Sequence, residues 1–189
     1  SEMCIRDSSY TGRTTITSGT LKLGADEVIP NSAVNPANNV VIMDPGLGLT
    51  ATLDLNGKTE TINGLTANTA GTAIIDNTAG TAASLTFGAN DQAVTIGGIG
   101  NYTITDSGAP LSITKTGTAS ASILTGVTLT YQGTTNINGG SMTHSPPAQW
   151  PTGFNLANTC RRLAPRGPRR PDFNGSKTWE RWETPGCGG

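Results

Sequence analysis

The stretch Tyr10-Thr-Gly-Arg-Thr-Thr-Ile-Thr-Ser-Gly-Thr-Leu21 returns near the other end of the repeat region as Tyr131-Gln-Gly-Thr-Thr-Asn-Ile-Asn-Gly-Gly-Ser-Met142. The two copies share Tyr, Gly, Thr, Ile and Gly at matching positions. A shorter string, Thr20-Leu-Lys-Leu-Gly24, recurs as Thr52-Leu-Asp-Leu-Asn56 and as Ser84-Leu-Thr-Phe-Gly88, so its three copies start at equally spaced positions. Repeats with periods of about 20–50 residues are typical of solenoids, propellers and other arrays.

Short apolar runs that alternate with Thr, Lys or Asp fill residues 9–144, as in Leu53-Asp-Leu55 and Val94-Thr-Ile96. Alternation with a period of two predicts strands with one buried face, and Gly, Asn and Asp between the runs favour sharp corners. No helical periodicity extends past two turns. We therefore predict an all-β fold, a parallel β-helix. With roughly 20 residues in each coil, residues 9–144 would form about six or seven coils.

The equal spacing of positions 20, 52 and 84 also predicts which side chains stack. It places Lys22, Asp54 and Thr86 in one solvent-facing ladder, and it pairs Ile62 with Val94. Opposite charges in such a ladder contribute only about 0.2–1 kcal/mol for each pair, so we expect the ladder to have no catalytic role.

These motifs resemble the autotransporter-associated, or passenger-associated, β-strand repeat of bacterial surface proteins. The resemblance covers nearly all of residues 10–142 and rests on the strings at 10–21, 51–57, 61–65 and 111–117, the last of which leads into the string at Tyr131. It implies a right-handed parallel β-helix within a long passenger. It also implies export to the bacterial cell surface, either as a secreted protein or anchored in the outer membrane by a β-barrel encoded outside this sequence.

Composition divides the chain into three segments. The 189 residues have a net charge of −1, but residues 9–144 carry a net charge of −4 and residues 145–189 a net charge of +4. Residues 1–8 resemble the translated adaptor of a transposase-based sequencing library, which predicts that the reading frame is truncated. Residues 145–189 are rich in Pro and Arg and predict either a disordered basic arm or a shifted reading frame.

The sequence contains no pattern typical of a catalytic or metal site, and we predict no enzyme activity, cofactor or metal. His144 is the single histidine, so a Ser-His-Asp or Cys-His centre would depend on it. Gly97-Gly-Ile-Gly-Asn-Tyr102 begins like a calcium-binding nonapeptide but has Tyr at the position of the ligand Asp, which favours a glycine-rich corner. Six carboxylates of the repeat region are scattered singly among the short strands: Asp44, Asp54, Glu60, Asp76, Asp91 and Asp106.

We therefore predict a structural role, as a monomeric stalk fragment of an autotransporter-like passenger with an adhesive capacity. Its partners would be cell-surface glycans or host and matrix molecules, and the balanced charge argues against nucleic acid. Tyr10, Tyr102 and Tyr131 are the candidate glycan contacts, because aromatic rings can stack on sugars. The alternative is a non-catalytic piece of a β-helical enzyme that acts on polysaccharides.

Overall fold

The computed structural model of the protein describes residues 10–67 and 69–145. These residues form fifteen strands of three to five residues and two short 3-10 turns, Pro36–Asn38 and Ala89–Asp91. The predictions for residues 1–8 and for the tail at 145–189 lie outside the described residues, apart from Ser145.

The strands form three parallel sheets, A, B and C, which the chain visits in that order. Sheet A contains β1 (Thr14–Ile16), β3 (Val41–Met43), β6 (Leu65–Ala67), β9 (Val94–Ile96), β12 (Ala121–Ile123) and β15 (Met142–His144). Sheet B contains β2 (Gly19–Lys22), β4 (Thr50–Asp54), β7 (Thr72–Asp76), β10 (Asn101–Ile104) and β13 (Val127–Leu129). Sheet C contains β5 (Thr59–Ile62), β8 (Ala83–Phe87), β11 (Leu111–Lys115) and β14 (Thr135–Ile137). This stacking is consistent with a β-solenoid and confirms the prediction of an all-β, parallel fold; we name each passage through the sheets a coil.

Alternation of apolar and polar side chains orients the strands. In β4, Ala51 and Leu53 are buried, whereas Thr50 and Thr52 face outward. Parallel pairing in register then builds columns of like side chains along the stack. One interior column of sheet B consists of Leu21, Leu53, Ile75, Ile104 and Leu129. Full burial of each such side chain contributes about 1.5–3 kcal/mol, so these columns form a continuous core.

Of the three equally spaced strings, which begin at positions 20, 52 and 84, only the first two lie next to each other in the same sheet. The string beginning at Thr20 pairs with the string beginning at Thr52, so Lys22 lies opposite Asp54 as predicted. The third copy lies in β8 of sheet C, and the residue on the other side of Asp54 is Asp76. The predicted ladder is therefore wrong in its third member, Thr86.

The predicted pairing of Ile62 with Val94 is also wrong. Ile62 lies opposite Phe87 in sheet C, and Val94 lies opposite Leu65 in sheet A. Because the two residues belong to different sheets, a constant interval in the sequence does not make them neighbours in the stack.

Coils of unequal length explain both errors. Ala51 lies opposite Gly19 of the preceding coil and opposite Ala73 of the following one. The coil that starts at β4 is therefore shorter than the coil before it, and a step as long as the first coil passes sheet B and reaches β8 in sheet C. Sheet A, the largest, contains six strands, at the lower end of the predicted number of coils.

The first coil lacks a strand in sheet C. Between β2 and β3 the chain runs through residues 23–40, which hold one 3-10 turn and no strand. The segment nevertheless lies along β5, because the Glu27 backbone N–H donates to the Thr59 carbonyl at 3.0 Å. Residues 26–50, which contain Pro30, Pro36 and Pro45, predict an irregular stretch with a loop. The structure has the loop at 23–40 and forms β3 within the predicted range.

The glycine-rich corner predicted at residues 97–100 is confirmed and connects β9 to β10. Gly97, Gly98 and Gly100 have φ values of 98°, 109° and 97°, which glycine adopts far more readily than other residues. A Cβ at Gly100 would lie 2.4 Å from the Thr69 carbonyl oxygen. This corner therefore requires glycine both for its backbone conformation and for the close approach of the preceding coil.

Candidate functional site

Three carboxylates that stand far apart in the sequence lie at one corner of the fold, where sheet B leads to sheet C. Asp54 ends β4, Asp76 ends β7, and Asp106 follows β10 by two residues. Their side chains are buried, with 2%, 9% and 8% exposure. Asp54 and Asp76 lie opposite each other in neighbouring strands. Ile75 lies opposite Ile104, so Asp76 follows this pair by one residue and Asp106 by two. We name the three residues the corner carboxylates.

Each corner carboxylate binds the coil that follows it. The bonds run from Thr78 N and Oγ1 to Asp54 (3.1 and 2.6 Å), from Ser107 N and Oγ to Asp76 (2.9 and 2.7 Å), and from Gln132 N to Asp106 (2.7 Å). Hydrogen bonds to charged groups are shorter and stronger than neutral ones. Each corner carboxylate therefore links its own coil to the following coil by hydrogen bonds.

Lys22 places a cation beside the first corner carboxylate, Asp54. Its Nζ lies 3.4 Å from Asp54 Oδ2, and the Lys22 side chain is 54% exposed. Burial acts to raise the pKa of Asp54, but the hydrogen bonds from Thr78 and Asn56 and the charge of Lys22 outweigh it, and the pKa lies below its usual value. Asp54 is thus held as a carboxylate.

Glu60 is a buried carboxylate in a different environment. It points inward from β5, is 0% exposed, and accepts the backbone N–H groups of Val28 and Ile29, each at 3.0 Å. Burial raises its pKa to about 7; the two N–H donors oppose this shift, and the charges of Glu27 and Asp26 add to it. Glu60 therefore exchanges a proton near neutral pH.

Asp26 and Glu27 complete a cover over the outer edge of β5. Asp26 Oδ1 accepts the Thr59 backbone N–H at 2.8 Å, and Glu27 Oε2 accepts that of Thr61 at 3.1 Å. Unpaired strand edges are open to pairing with other chains, and proteins protect them with charged side chains. The first coil has no strand in sheet C, and the carboxylates of Asp26 and Glu27 accept the backbone N–H groups of β5 that such a strand would otherwise bind.

Lys115 is a buried cation at the corner where sheet C leads to sheet A. It is the last inward-facing residue of β11 and is 0% exposed. Its ammonium donates to the carbonyl of Thr116, to that of Gly117 at 3.1 Å and to that of Gly139 at 3.4 Å. Burial lowers the pKa of Lys115, and the charge of Asp91 partly offsets this. Lys115 thus ties the turn after β11 to the turn after β14.

The two copies of the tyrosine motif form the same local hydrogen bond in different sheets. Tyr10 Oη lies 2.7 Å from Thr14 Oγ1, at β1 of sheet A, and Tyr131 Oη lies 2.6 Å from Thr135 Oγ1, at β14 of sheet C. Tyr10 is 45% exposed, whereas Tyr131 is 1% exposed. The motif is therefore a local turn-and-strand unit whose environment depends on the coil it occupies.

Tyr102 does not reach the surface either, with 1% exposure. Its hydroxyl accepts the Thr69 backbone N–H and contacts the carbonyls of Thr69 and Ile99. The hydroxyl thus links two stacked corners. Among the three tyrosines predicted as glycan contacts, Tyr102 and Tyr131 are buried, and Tyr10 is the exposed one.

The outward faces of the sheets carry columns of hydroxyl groups. On sheet A, Thr15 is followed by Ile42, which has no hydroxyl group, and then by Thr66, Thr95, Ser122 and Thr143. Sheet C carries a shorter one, Thr61, Thr86, Thr114 and Asn136. Hydroxyl and amide groups both donate and accept hydrogen bonds, so these faces can meet water or a polyol.

The roles of Glu60 and Lys115 were not predicted, although the alternation of apolar and polar residues contains the signal. In Thr59-Glu-Thr-Ile62, Glu60 is two residues from the buried Ile62, and in Leu111-Ser-Ile-Thr-Lys115 the lysine continues the inward positions of Leu111 and Ile113. Strict period-two counting places both charges inside. His144, the other residue considered for chemistry, ends β15, and its side chain lies outside the described part of the structure.

Comparison of the chain with protein-family models, with curated proteins and with solved structures yields no match. In the described part of the chain, no three His, Cys, Asp or Glu side chains are grouped so that they could hold a metal ion. Among residues 10–67 and 69–145, no helix is long and apolar enough to cross a bilayer.

Proposed function

We propose that the repeat region, predicted at residues 9–144, is a right-handed parallel β-helix that serves as a structural stalk fragment of an autotransporter-like passenger, secreted or held at the bacterial outer membrane. The support for the fold is the repeated order of sheets A, B and C, with parallel pairing throughout. The support for the passenger class is the set of motifs at 10–21, 51–57, 111–117 and 131–142.

One observation carries the structural role: the corner carboxylates bind the coil that follows. Asp54, Asp76 and Asp106 each accept hydrogen bonds from a residue of the next coil. Lys115 likewise reaches Gly139 of the next coil. In solenoids the stability is approximately the sum of the repeats and of their nearest-neighbour interfaces. Side chains devoted to those interfaces suit a rod that transmits position and load along its axis.

Adhesion is a second candidate, favoured by the hydroxyl columns on the outer faces and by the exposed ring of Tyr10. Cell-surface glycans or host and matrix molecules would be the ligands. Binding of the full chain to an array of glycans should then weaken in Tyr10→Ala. The matched control is Tyr131→Phe, which changes a ring 1% exposed and should leave glycan binding unchanged.

The coding sequence on either side of this chain in its source genome tests the passenger proposal. A secretion signal upstream and a transporter barrel downstream are the expected result. A flanking catalytic domain that acts on polysaccharides would contradict the stalk role and support the enzyme alternative, for which cleavage of uronic-acid polymers by the complete protein is the direct assay.

A protein-level test uses display on the surface of a Gram-negative cell. The full chain is placed between a secretion signal and a transporter barrel, and its resistance to protease is measured on intact cells. We expect a resistant product for the native chain and a sensitive one for the double variant Asp54→Asn/Asp76→Asn. Equal resistance would contradict the role of the corner carboxylates in the stalk.

A further inference from the structure

The repeat region contains three Asn-Gly pairs, Asn56-Gly57, Asn63-Gly64 and Asn138-Gly139. Asparagine is a thermolabile residue, and it is most reactive before glycine, because a residue without Cβ lets its backbone nitrogen approach the preceding side chain. The three pairs share this local chemistry, so any difference between them comes from the fold.

The fold restrains the reacting groups of the first pair. Asn56 Nδ2 donates to the Leu23 carbonyl at 2.8 Å, and the Gly57 backbone N–H donates to Asn77 Oδ1 at 2.7 Å. Both the amide that would leave and the nitrogen that would attack are therefore already bound.

The second pair is restrained by burial. Asn63 is 0% exposed, and its Nδ2 donates to the carbonyls of Ser32 and Pro36 at 3.0 and 3.3 Å. Its Oδ1 accepts from Asn90 Nδ2 at 2.8 Å. Reaction at this side chain would require local opening of the structure, which is rare for buried, hydrogen-bonded groups.

The third pair has neither restraint. Asn138 follows β14 and its side chain is exposed. The Asn138 backbone N–H donates to the Lys115 carbonyl at 2.8 Å, which fixes the main chain. Among the described residues, neither the Asn138 side chain nor the Gly139 N–H has a hydrogen-bond partner. We propose that Asn138-Gly139 is a site of spontaneous deamidation, and that the fold protects the other two Asn-Gly pairs.

The reaction needs only water. The Gly139 backbone nitrogen loses its proton to base and attacks Cγ of Asn138, a C–N bond forms, and the side-chain nitrogen leaves as ammonia. The resulting five-membered succinimide then adds water at one of its two carbonyls. Opening at one C–N bond gives Asp, and opening at the other gives isoaspartate, in which the main chain runs through the side-chain carbon. The rate rises with pH because the attacking nitrogen must be deprotonated.

The position of the pair links this modification to Lys115. The Asn138 N–H bonds the Lys115 carbonyl, and the Gly139 carbonyl accepts the Lys115 ammonium at 3.4 Å. Isoaspartate adds a backbone atom between these two contacts. The modified chain therefore loses the geometry that ties β11 and β14 to each other at this corner, and the coil containing β14 loosens.

The test is peptide mapping by mass spectrometry after incubation of the folded full chain at mildly alkaline pH. We expect the peptide with Asn138 to convert at least about tenfold faster than those with Asn56 and Asn63, since reaction at the latter requires local opening. In denaturant the three pairs should convert at rates that differ by less than that factor. Equal rates in the folded protein, or fastest conversion at Asn63, would overturn the proposal.

Asn138→Gln is the matched variant, because it keeps an exposed amide and lengthens the side chain so that ring closure is disfavoured. The variant should yield no isoaspartate at position 138, as read by an isoaspartyl methyltransferase. After prolonged incubation, the native chain should unfold at a lower midpoint concentration of denaturant than before, whereas the midpoint of Asn138→Gln should stay unchanged. Equal loss in both proteins would contradict the link to Lys115.

Discussion

Asp54 and Glu60 lie close together in the sequence and are both buried, yet their pKa values shift in opposite directions. Asp54 receives three donors from Thr78 and Asn56 and has Lys22 beside it, and its pKa is lowered. Glu60 receives two backbone N–H groups and faces the charges of Glu27 and Asp26, and burial raises its pKa to about 7. Burial acts to raise the pKa of both carboxylates; the hydrogen bonds and Lys22 outweigh it at Asp54, whereas the two N–H donors do not outweigh it at Glu60.

The largest effect is expected for the pH dependence of stability at Glu60. Its pKa is about 7 in the folded protein and 4.5 as the ordinary value, so the folded chain binds the extra proton between these pH values. The free energy of unfolding should therefore fall as pH rises through this interval, by up to about 3 kcal/mol, and should level off above it. Denaturant titrations at several pH values measure this fall in the native chain, and the fall should be absent in Glu60→Gln.

Glu27→Gln is the control for that measurement. Removing this neighbouring charge should move the Glu60 transition to lower pH without abolishing it. A stability that rises with pH in the native chain relative to Glu60→Gln would contradict the assignment.

The next largest effect is expected at Asp54. In Asp54→Asn one acceptor becomes a donor that faces the Thr78 donors, and we expect a loss of about 2 kcal/mol at neutral pH. The Asp54 contribution is present above its ordinary pKa of 3.8 and is lost as pH falls through the lowered value. Asp44→Asn, at an exposed position, is the matched control and should stay within about 0.5 kcal/mol of the native chain.

A smaller effect separates the two tyrosine–threonine bonds. Thr135→Val leaves the buried Tyr131 hydroxyl without its partner and should cost about 1 kcal/mol. Thr14→Val breaks the equivalent bond of Tyr10, which is 45% exposed, so water replaces the partner and the cost should be near zero. Thermal unfolding of both variants tests this, and equal losses would show that environment does not set the value of the bond.

The smallest effect is expected for Lys22. Its side chain is 54% exposed, and surface ion pairs contribute about 0–1 kcal/mol. Lys22→Met should therefore change stability by less than Asp54→Asn does, as measured by denaturant unfolding at low and at moderate salt. A larger loss than that of Asp54→Asn would show that the Lys22–Asp54 ion pair contributes more to stability than the hydrogen bonds from Thr78 to Asp54.

Sequence patterns predicted the class of the fold because strand alternation is local. Leu53-Asp-Leu55 and Leu111-Ser-Ile113 determine which faces are buried wherever they lie in the stack. The register was not predictable in the same way, because it depends on loop lengths: the short coil that starts at β4 places Asp76, not Thr86, beside Asp54. The stacking of Asp54 on Asp76 follows from that register. The burial of Tyr102 follows from local alternation, because Tyr102 lies two residues before the buried Ile104.

The strands cycle through three parallel sheets in coils of unequal length, and pairs of introduced cysteines can test this arrangement. With Cys4, Cys160 and Cys187 replaced by Ser, Thr52→Cys is combined either with Ile74→Cys or with Ser84→Cys. Thr52 and Ile74 lie opposite each other, and neighbouring strands are about 4.8 Å apart, within the range of about 4.4–6.8 Å that a disulfide spans. We expect a disulfide between positions 52 and 74 and none between 52 and 84; a disulfide between 52 and 84 would contradict this arrangement of the sheets.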